Sequence, residues 1–268
     1  MTNAVGGFAD LEGASFYYEL IGKGRTLVLL HGFSFDSTLW DSQIESFASS
    51  FQVLRYDLRG FGRSTSTEVA YSHAEDLKAV LDFLNLDRVT LLGFSLGGGA
   101  AINFTLLYPR MVQALILVAP SLGGFRWSEQ FASAQNSLQT IARKKGVEIA
   151  SKLWLRQTIF RQAMNKKDVA EKLRKMVTGY SGWHWVHSNL GKPLTPPARE
   201  RLHEIQIPTL LFVGDSDAPD QLKIVETLEA EIGGARKIVY PGVGHAITLE
   251  VPDRFNADVL NFLDEIAK

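Results

Sequence analysis

The sequence has no cysteine. This excludes a disulfide scaffold, a cysteine nucleophile, a thiolate zinc site and an iron–sulfur cluster. It also lacks the run of about 18 apolar residues that a membrane-spanning helix needs, and its first residues show neither the basic start nor the apolar core of a signal peptide. The formal net charge is only −1, which gives no field that would attract nucleic acid or an anionic membrane. We therefore expect a cytoplasmic protein that binds neither; the oligomeric state stays open.

What the 268 residues do contain is typical of a globular α/β protein. Hydrophobic residues make up 46% and charged residues 21% of the chain. Short apolar runs, predicted as strands buried on both faces, alternate with segments of helical spacing. The predicted strands are 26–30, 51–56, 89–94, 114–118, 209–213 and 237–240. The predicted helices are 38–49, 72–86, 96–108, 221–232 and 253–268, with Asp253 as an N-cap. This order predicts a mainly parallel sheet flanked by helices, with 16–21 as an antiparallel edge strand.

The alternation is interrupted between residues 121 and 207. This stretch has helical spacing, carries four of the five tryptophans, and holds 15 Lys and Arg against 6 Asp and Glu. We predict a helical cap at 121–207 inserted into a core formed by 1–120 and 208–268. Two interpretations stay open: a basic, aromatic insert that covers a site, or amphipathic helices whose cations face water and whose tryptophans seal them to the sheet.

Ser95 carries the strongest chemical signal. It is the centre of Gly93-Phe94-Ser95-Leu96-Gly97, between a predicted strand and a predicted helix. A serine at such a strand-to-helix turn sits in a strained backbone, and glycines two residues to either side avoid a clash. The hydroxyl then stands clear of the backbone, and the following N–H groups point at an incoming anion. The pattern predicts a nucleophilic serine.

A serine hydroxyl needs a base, and the base needs a carboxylate. His245 follows a predicted strand, at the edge where α/β sheets place their sites, and is the predicted base. Three aspartates follow the strand 209–213. We favour Asp217 as the acid, and predict Asp215 as a turn residue and Asp220 as a helix N-cap. The segment after the preceding strand, 119–122, has no carboxylate.

The order Ser95, Asp217, His245 resembles that of the α/β-hydrolase superfamily. Two further segments resemble the same family: His31-Gly32-Phe33 is similar to its oxyanion loop, and Asp57-Leu-Arg-Gly-Phe-Gly-Arg-Ser64 is similar to its D-x-R-G-x-G-x-S segment, a structural turn. The resemblance implies that the backbone N–H groups of Phe33 and Leu96 stabilise an oxyanion. It implies a structural role for His31 and a cap at 121–207.

The predicted reaction is cleavage of a carboxylic ester through an acyl-enzyme on Ser95. The chain also resembles 3-oxoadipate enol-lactonases, whose anionic substrates would suit a basic cap, and cofactor-free haloperoxidases, which are perhydrolases. C–C bond hydrolases and triad-bearing small-molecule receptors are further alternatives. Epoxide hydrolases and haloalkane dehalogenases are disfavoured because their nucleophile is aspartate.

We expect a small-molecule ester or lactone to bind between the strand ends and the cap. The predicted pocket is apolar and aromatic. Its predicted lining is Phe33, Leu96, Phe94, Phe125, Trp127, Trp154, Trp183 and Trp185. No dinucleotide or phosphate-loop pattern is present, so no cofactor is expected. His184 and His187 lie three residues apart, but no carboxylate pattern accompanies them, and no metal site is expected.

Overall fold

A computed structural model describes residues 4–11, 13–187 and 190–267. Within them, eight strands form one sheet in the order β1-β2-β4-β3-β5-β6-β7-β8. β1 and β2 are antiparallel to their neighbours, and the other six strands run parallel. The strands are Ala4–Leu11, Ala14–Gly22, Thr26–Leu30, Gln52–Tyr56, Val89–Phe94, Val112–Val118, Thr209–Gly214 and Arg236–Tyr240. The predicted α/β class and mainly parallel sheet are confirmed.

The central strands form the core because their sequences are apolar throughout. Every residue of β3, β5 and β7 is buried, as expected for parallel strands covered on both faces. The helices outside the segment 121–207 are α1 Asp41–Ala48, α2 His73–Phe83, α3 Leu96–Leu107, α9 Pro219–Glu231, α10 Ile247–Glu250 and α11 Pro252–Glu265. α1 packs with α11, and α2 packs with α3.

The segment between β6 and β7 is helical, as its spacing predicts. It contains α4 Glu129–Lys145, α5 Val147–Trp154, α6 Arg161–Met164, α7 Lys167–Gly179 and α8 Trp183–Val186. α4 packs on α5 and α8. We call residues 121–207 the helical segment. No helix within the described ranges combines the length and the apolarity that crossing a membrane would require.

Three local predictions are wrong. The strand predicted at 16–21 is not the edge, because β1 pairs with it along its whole length; Gly6 and Gly7 weaken the strand pattern of β1. Asp220 is not an N-cap, since α9 begins at Pro219, and its carboxylate instead accepts hydrogen bonds from the backbone and hydroxyl of Ser128. Asp253 lies in the first turn of α11, whose N-cap is Val251. In both helices the proline takes the first helical position, which its fixed φ favours.

Candidate active site

Ser95 lies at the sharp turn between β5 and α3. Its backbone has φ 51° and ψ −112°, a conformation that non-glycine residues rarely adopt. Two hydrogen bonds hold the turn: the Ser95 N–H donates to the Val118 carbonyl at 2.9 Å, and the Ser121 N–H donates to the Ser95 carbonyl at 2.8 Å. A β-carbon at Gly97 would collide with the carbonyl oxygen of Leu30, so this position needs glycine. The strained turn leaves the Ser95 side chain on a cavity wall.

His245 and Asp217 meet at the carboxyl ends of β8 and β7. The His245 Nδ1 atom is 2.7 Å from Asp217 Oδ2, and both residues are buried. The second carboxylate oxygen of Asp217 accepts a hydrogen bond from the Ala218 N–H at 2.6 Å. With Nδ1 engaged by the carboxylate, the imidazole is oriented and its Nε2 is left for a proton acceptor role.

The other two aspartates of this loop have different partners. Asp215 is exposed, and its Oδ1 accepts a hydrogen bond from the Gly242 N–H at 2.7 Å. Asp220 binds Ser128 at the start of α4, as described above. Of the three aspartates that compete in the sequence, the structure brings only Asp217 to His245.

One cavity of about 410 Å³ contains both Ser95 and His245 in its wall. Phe33 and Leu96 also line it, and Leu96 is the first residue of α3, where backbone N–H groups have no partner within the helix. The aromatic and aliphatic part of the wall is made by Phe35, Trp127, Phe131, Trp154, Ile159 and Phe160, and the polar part by Ser121, Gln135, Gln139 and Gln221. We call this space the main chamber.

A second cavity of about 240 Å³ adjoins the main chamber. The two share Phe33, Leu96, Gln135 and Gln139 in their walls. The ring of Phe33 contacts aromatic rings on both sides, with centroids 5.8 Å from Trp154 and 5.9 Å from His184. The remaining wall residues of this second cavity, which we call the annexe, are Tyr71, His73, Trp183, His184, Trp185, Leu190 and Gly191.

The predicted pocket residues divide between these two spaces. Trp127 and Trp154 line the main chamber, and Trp183 and Trp185 line the annexe. Phe94 lines neither cavity: it is fully buried behind the site, and its ring lies 4.9 Å from that of His245. Phe125 is also outside both walls and packs edge-on against Trp127 at 5.4 Å. Phe94 and Phe125 therefore pack behind the wall, against the rings of His245 and Trp127.

The charged side chains of the helical segment are not among the wall residues of either cavity. Among the described wall residues of the main chamber and the annexe there is no Lys, Arg, Asp or Glu. The interpretation in which a basic cap lines the site for an anion thus finds no cation on these walls. Within the described ranges, no cluster of three or more histidine or carboxylate side chains is arranged to hold a metal ion.

The segments around His31 and Asp57 hold the loops behind the site. His31 is fully buried; its Nε2 accepts the Leu58 N–H at 2.9 Å and its Nδ1 lies 2.8 Å from the Gly32 carbonyl oxygen. The Nε2 atom can accept this N–H only when it is unprotonated, and burial lowers the pKa of the His31 ring in the same sense. The Asp57 carboxylate accepts the N–H groups of Ser37 at 2.7 Å and Arg63 at 2.8 Å. Both side chains are fully engaged in structural hydrogen bonds.

Two contacts that join the helical segment to the strand-end loops are not apparent in the sequence. The Trp154 Nε1–H donates to the hydroxyl of Ser34 at 2.7 Å, next to Phe33. The buried carboxylate of Glu250 accepts the Gly244 N–H, next to His245, and lies 3.6 Å from the Lys166 ammonium. Sequence reasoning also misses Phe131, Gln135 and Gln139, although their spacing of four residues places them on one face of α4.

The sequence is similar to those of known hydrolases. A sequence model described as "Alpha/beta hydrolase family" matches residues 27–258. The chain is 26% identical over 262 residues to the pimeloyl-(acyl-carrier protein) methyl ester esterase of Nitrosomonas europaea, covering 90% of this chain and 97% of that protein. It is 31% identical over 268 residues to the 2-hydroxy-6-oxononadienedioate/2-hydroxy-6-oxononatrienedioate hydrolase of Klebsiella pneumoniae, covering 90% and 88%.

Among solved structures, a thermophilic esterase from Thermogutta terrifontis superposes with a TM-score of 0.83 at 26% identity, over 99% of this chain and 100% of that one. The names of these relatives give different substrates. Their similarity therefore extends to the fold and to hydrolysis, and does not by itself select a substrate.

Proposed function

The chain belongs to the alpha/beta hydrolase family, and on that basis we propose that it is a serine hydrolase of uncharged carboxylic esters. The observation that carries this proposal is the 2.7 Å contact of His245 Nδ1 with Asp217 Oδ2 beside a cavity that Ser95 also lines. The esterase names of two relatives support the same reaction. The proposal includes the division into a core, 1–120 and 208–268, and a cap, 121–207.

In the proposed mechanism Ser95 attacks the ester carbonyl while His245 Nε2 takes the hydroxyl proton. The tetrahedral oxyanion accepts hydrogen bonds from the N–H groups of Phe33 and Leu96, and the amino end of α3 favours its negative charge. Asp217 stabilises the imidazolium. His245 then donates the proton to the leaving alcohol, and the acyl group stays on Ser95. A water molecule, deprotonated by His245, attacks the acyl-enzyme and releases the acid.

The lack of charged residues among the described cavity walls favours an uncharged substrate. A carboxylate in the main chamber would be desolvated without a cation among the described wall residues, which is costly. The relative from Klebsiella pneumoniae is named for dioate substrates, which carry two carboxylates. Neutral esters and neutral lactones fit the walls better than such dianions, and a lactone undergoes the same acyl transfer within a ring.

The test is steady-state hydrolysis of p-nitrophenyl esters from acetate to decanoate. We expect turnover by the wild type and a loss of about 10⁴-fold or more in kcat for Ser95→Ala. Ser133→Ala, an exposed serine of α4, is the matched control and is expected to match the wild type. The chain-length optimum reports how much of the main chamber the acyl group fills.

Activity that survives in Ser95→Ala would show that another group is the nucleophile. Wild-type protein that is stabilised against heat by esters, yet turns none over, would indicate a small-molecule receptor instead of an enzyme.

A further inference from the structure

The annexe lies directly beside the proposed oxyanion donors, Phe33 and Leu96. Its volume of about 240 Å³ exceeds the ~150 Å³ of an engineered apolar cavity that binds benzene. It therefore has room for a six-membered ring with a short substituent. The rings of Trp183 and Trp185 form part of its wall. A substrate seated over Ser95 can place one of its groups here and another in the main chamber.

A chain of hydrogen bonds ends at the annexe with an unused donor. Tyr180 Oη accepts the His184 N–H at 2.9 Å and lies 2.7 Å from His184 Nδ1. His184 Nε2 lies 3.1 Å from Tyr71 Oη. In either histidine tautomer one phenol hydrogen of this chain is left over; it belongs to Tyr71, on the cavity wall, if the Tyr180 hydroxyl donates to Nδ1 and the Nε2–H donates to Tyr71. The hydroxyl hydrogen of Tyr71 then has no acceptor among the described residues.

His73 offers a second unused polar group on the same wall. Its Nδ1 atom is buried and has no hydrogen-bond partner within the described part of the chain. Its ring stands edge-on to Tyr71, with centroids 5.0 Å apart. A buried polar atom without a partner is unfavourable, so such an atom on a cavity wall indicates a ligand group that pairs with it.

Both histidines of the annexe are neutral at ordinary pH. Burial lowers the pKa of His73 to about 3, and the neighbouring His184 and His31 contribute in the same direction. Burial likewise lowers the pKa of His184 to about 3. A neutral imidazole has one donor and one acceptor nitrogen and cannot pair with an anion as a cation would. The nearby Arg59 guanidinium is already bound by Asp76.

We propose that the annexe binds an uncharged group of the substrate that both donates and accepts hydrogen bonds, such as a carboxamide carried on a small ring. The Tyr71 hydroxyl donates to the carbonyl oxygen of this group, and His73 Nδ1 pairs with whichever of its atoms the histidine tautomer requires. The aromatic walls cover the faces of the ring. This inference deepens the proposed ester hydrolysis by assigning the polar part of the substrate, and it rests on that function for its role in selectivity.

Binding of benzamide tests this assignment without requiring turnover. Calorimetric titration compares benzamide with benzoate, its isosteric anion, on the wild type, Tyr71→Phe, His73→Phe and the control Tyr108→Phe, a tyrosine outside both cavities. We expect benzoate to bind at least about tenfold more weakly than benzamide, because its charge would be buried unpaired. We expect Tyr71→Phe and His73→Phe each to weaken benzamide binding about tenfold, and Tyr108→Phe to leave the affinity for benzamide unchanged.

Benzoate that binds as tightly as benzamide would overturn the proposal. So would benzamide that binds Tyr71→Phe and His73→Phe, both shown to be folded by thermal unfolding, as tightly as the wild type. If wild-type protein hydrolyses no p-nitrophenyl ester but binds benzamide in the expected pattern, the proposed function fails and the annexe assignment stands. If the wild type hydrolyses p-nitrophenyl esters but benzamide binding gives either overturning result, the proposed function stands and the annexe assignment fails.

Discussion

The strand-end loops and the helical segment both face the main chamber, but they contribute different groups to it. The loops that carry Ser95, Asp217 and His245 are fixed by directional bonds, such as Ser95 N–H to the Val118 carbonyl at 2.9 Å. The helical segment contributes rings, such as Trp154 and Phe160 with centroids 5.3 Å apart. Proton transfer depends on sub-ångström geometry, whereas an apolar wall needs only suitable volume. Changes in the first region should therefore affect kcat, and changes in the second should affect substrate selection.

Each region contains a buried imidazole, but the two imidazoles have different hydrogen-bond partners. His245 faces the carboxylate of Asp217, which in the proposed mechanism stabilises the imidazolium that forms when His245 accepts a proton. His184 lies between the hydroxyl groups of Tyr71 and Tyr180, and burial lowers its pKa to about 3. Phenol groups can hydrogen-bond an imidazole but do not neutralise its charge. The same side chain is thus suited to proton transfer at one site and to neutral hydrogen bonding at the other.

After removal of the Ser95 hydroxyl, the largest expected effect comes from removing the negative charge beside His245. Asp217→Asn keeps the shape of the side chain but cannot stabilise an imidazolium and favours the wrong tautomer. We expect kcat for p-nitrophenyl acetate to fall by about 10⁴-fold, as the equivalent change does in a serine protease. KM should change little, because Asp217 is buried behind His245 and lines neither cavity.

Asp215→Asn and Asp220→Asn are matched controls in the same loop. Their partners are Gly242 and Ser128, which an asparagine oxygen can also bind, so both should keep kcat within about threefold of the wild type. A loss in either control as large as that of Asp217→Asn would contradict the division of roles among the three aspartates.

A smaller effect is expected where the two regions touch. Trp154 donates its Nε1–H to the Ser34 hydroxyl at 2.7 Å, and Ser34 has a positive φ of 64° next to Phe33. Trp154→Phe removes this bond and leaves a buried hydroxyl unpaired, which costs about 1–3 kcal/mol. If the bond positions the Phe33 N–H, kcat should fall about five- to tenfold. Trp127 lies in the same wall but makes no hydrogen bond to Ser34, so Trp127→Phe should change KM more than kcat.

A double-mutant cycle separates positioning from simple wall damage. Ser34→Ala removes the acceptor of the same bond, so Trp154→Phe combined with Ser34→Ala should lower kcat no further than either single variant. Additive losses would show that Trp154 and Ser34 act independently, and the two regions would then be uncoupled at this contact.

Much of the sheet can be predicted from the sequence because its central strands are buried on both faces. β3 and β5 were predicted with the bounds that the structure has, since apolar runs flanked by turn residues leave little choice. Parallel strands also bring their carboxyl ends to one edge, which explains why residues as distant as 217 and 245 could be paired in advance. β1 could not be predicted, because it is an edge strand with two glycines and few buried residues.

The cavity walls were less predictable, for a physical reason. Whether a ring lines a cavity depends on how helices pack, and packing is set by side chains far apart in the sequence. Trp183 and Trp185 thus line a different cavity from Trp127 and Trp154, although the rings of Trp154 and Trp185 touch, which no spacing rule indicates. Phe94, predicted in the wall, lies beneath the site, and His73, which carries no motif, lies in the annexe.

The smallest expected effect concerns the pH dependence of stability, and it tests the neutral state of the annexe. The pKa of His73 is lowered to about 3 from an ordinary value of 6.5. As pH falls below 6.5, the unfolded chain takes up a proton that the folded chain does not, so the free energy of unfolding decreases between pH 6.5 and pH 3. His73→Phe removes this proton uptake. Between pH 7 and pH 5, the stability of the wild type should therefore fall by about 1–2 kcal/mol more than that of His73→Phe, as measured by urea unfolding.

Tyr71→Phe is the control, because the pKa of Tyr71 is raised to about 12 and the phenol does not titrate in this range. The difference in free energy of unfolding between Tyr71→Phe and the wild type should be the same at pH 7 and pH 5. Parallel pH profiles for the wild type and His73→Phe would mean that His73 can take up a proton in the folded chain, and the contrast between the annexe and the His245 site would be lost.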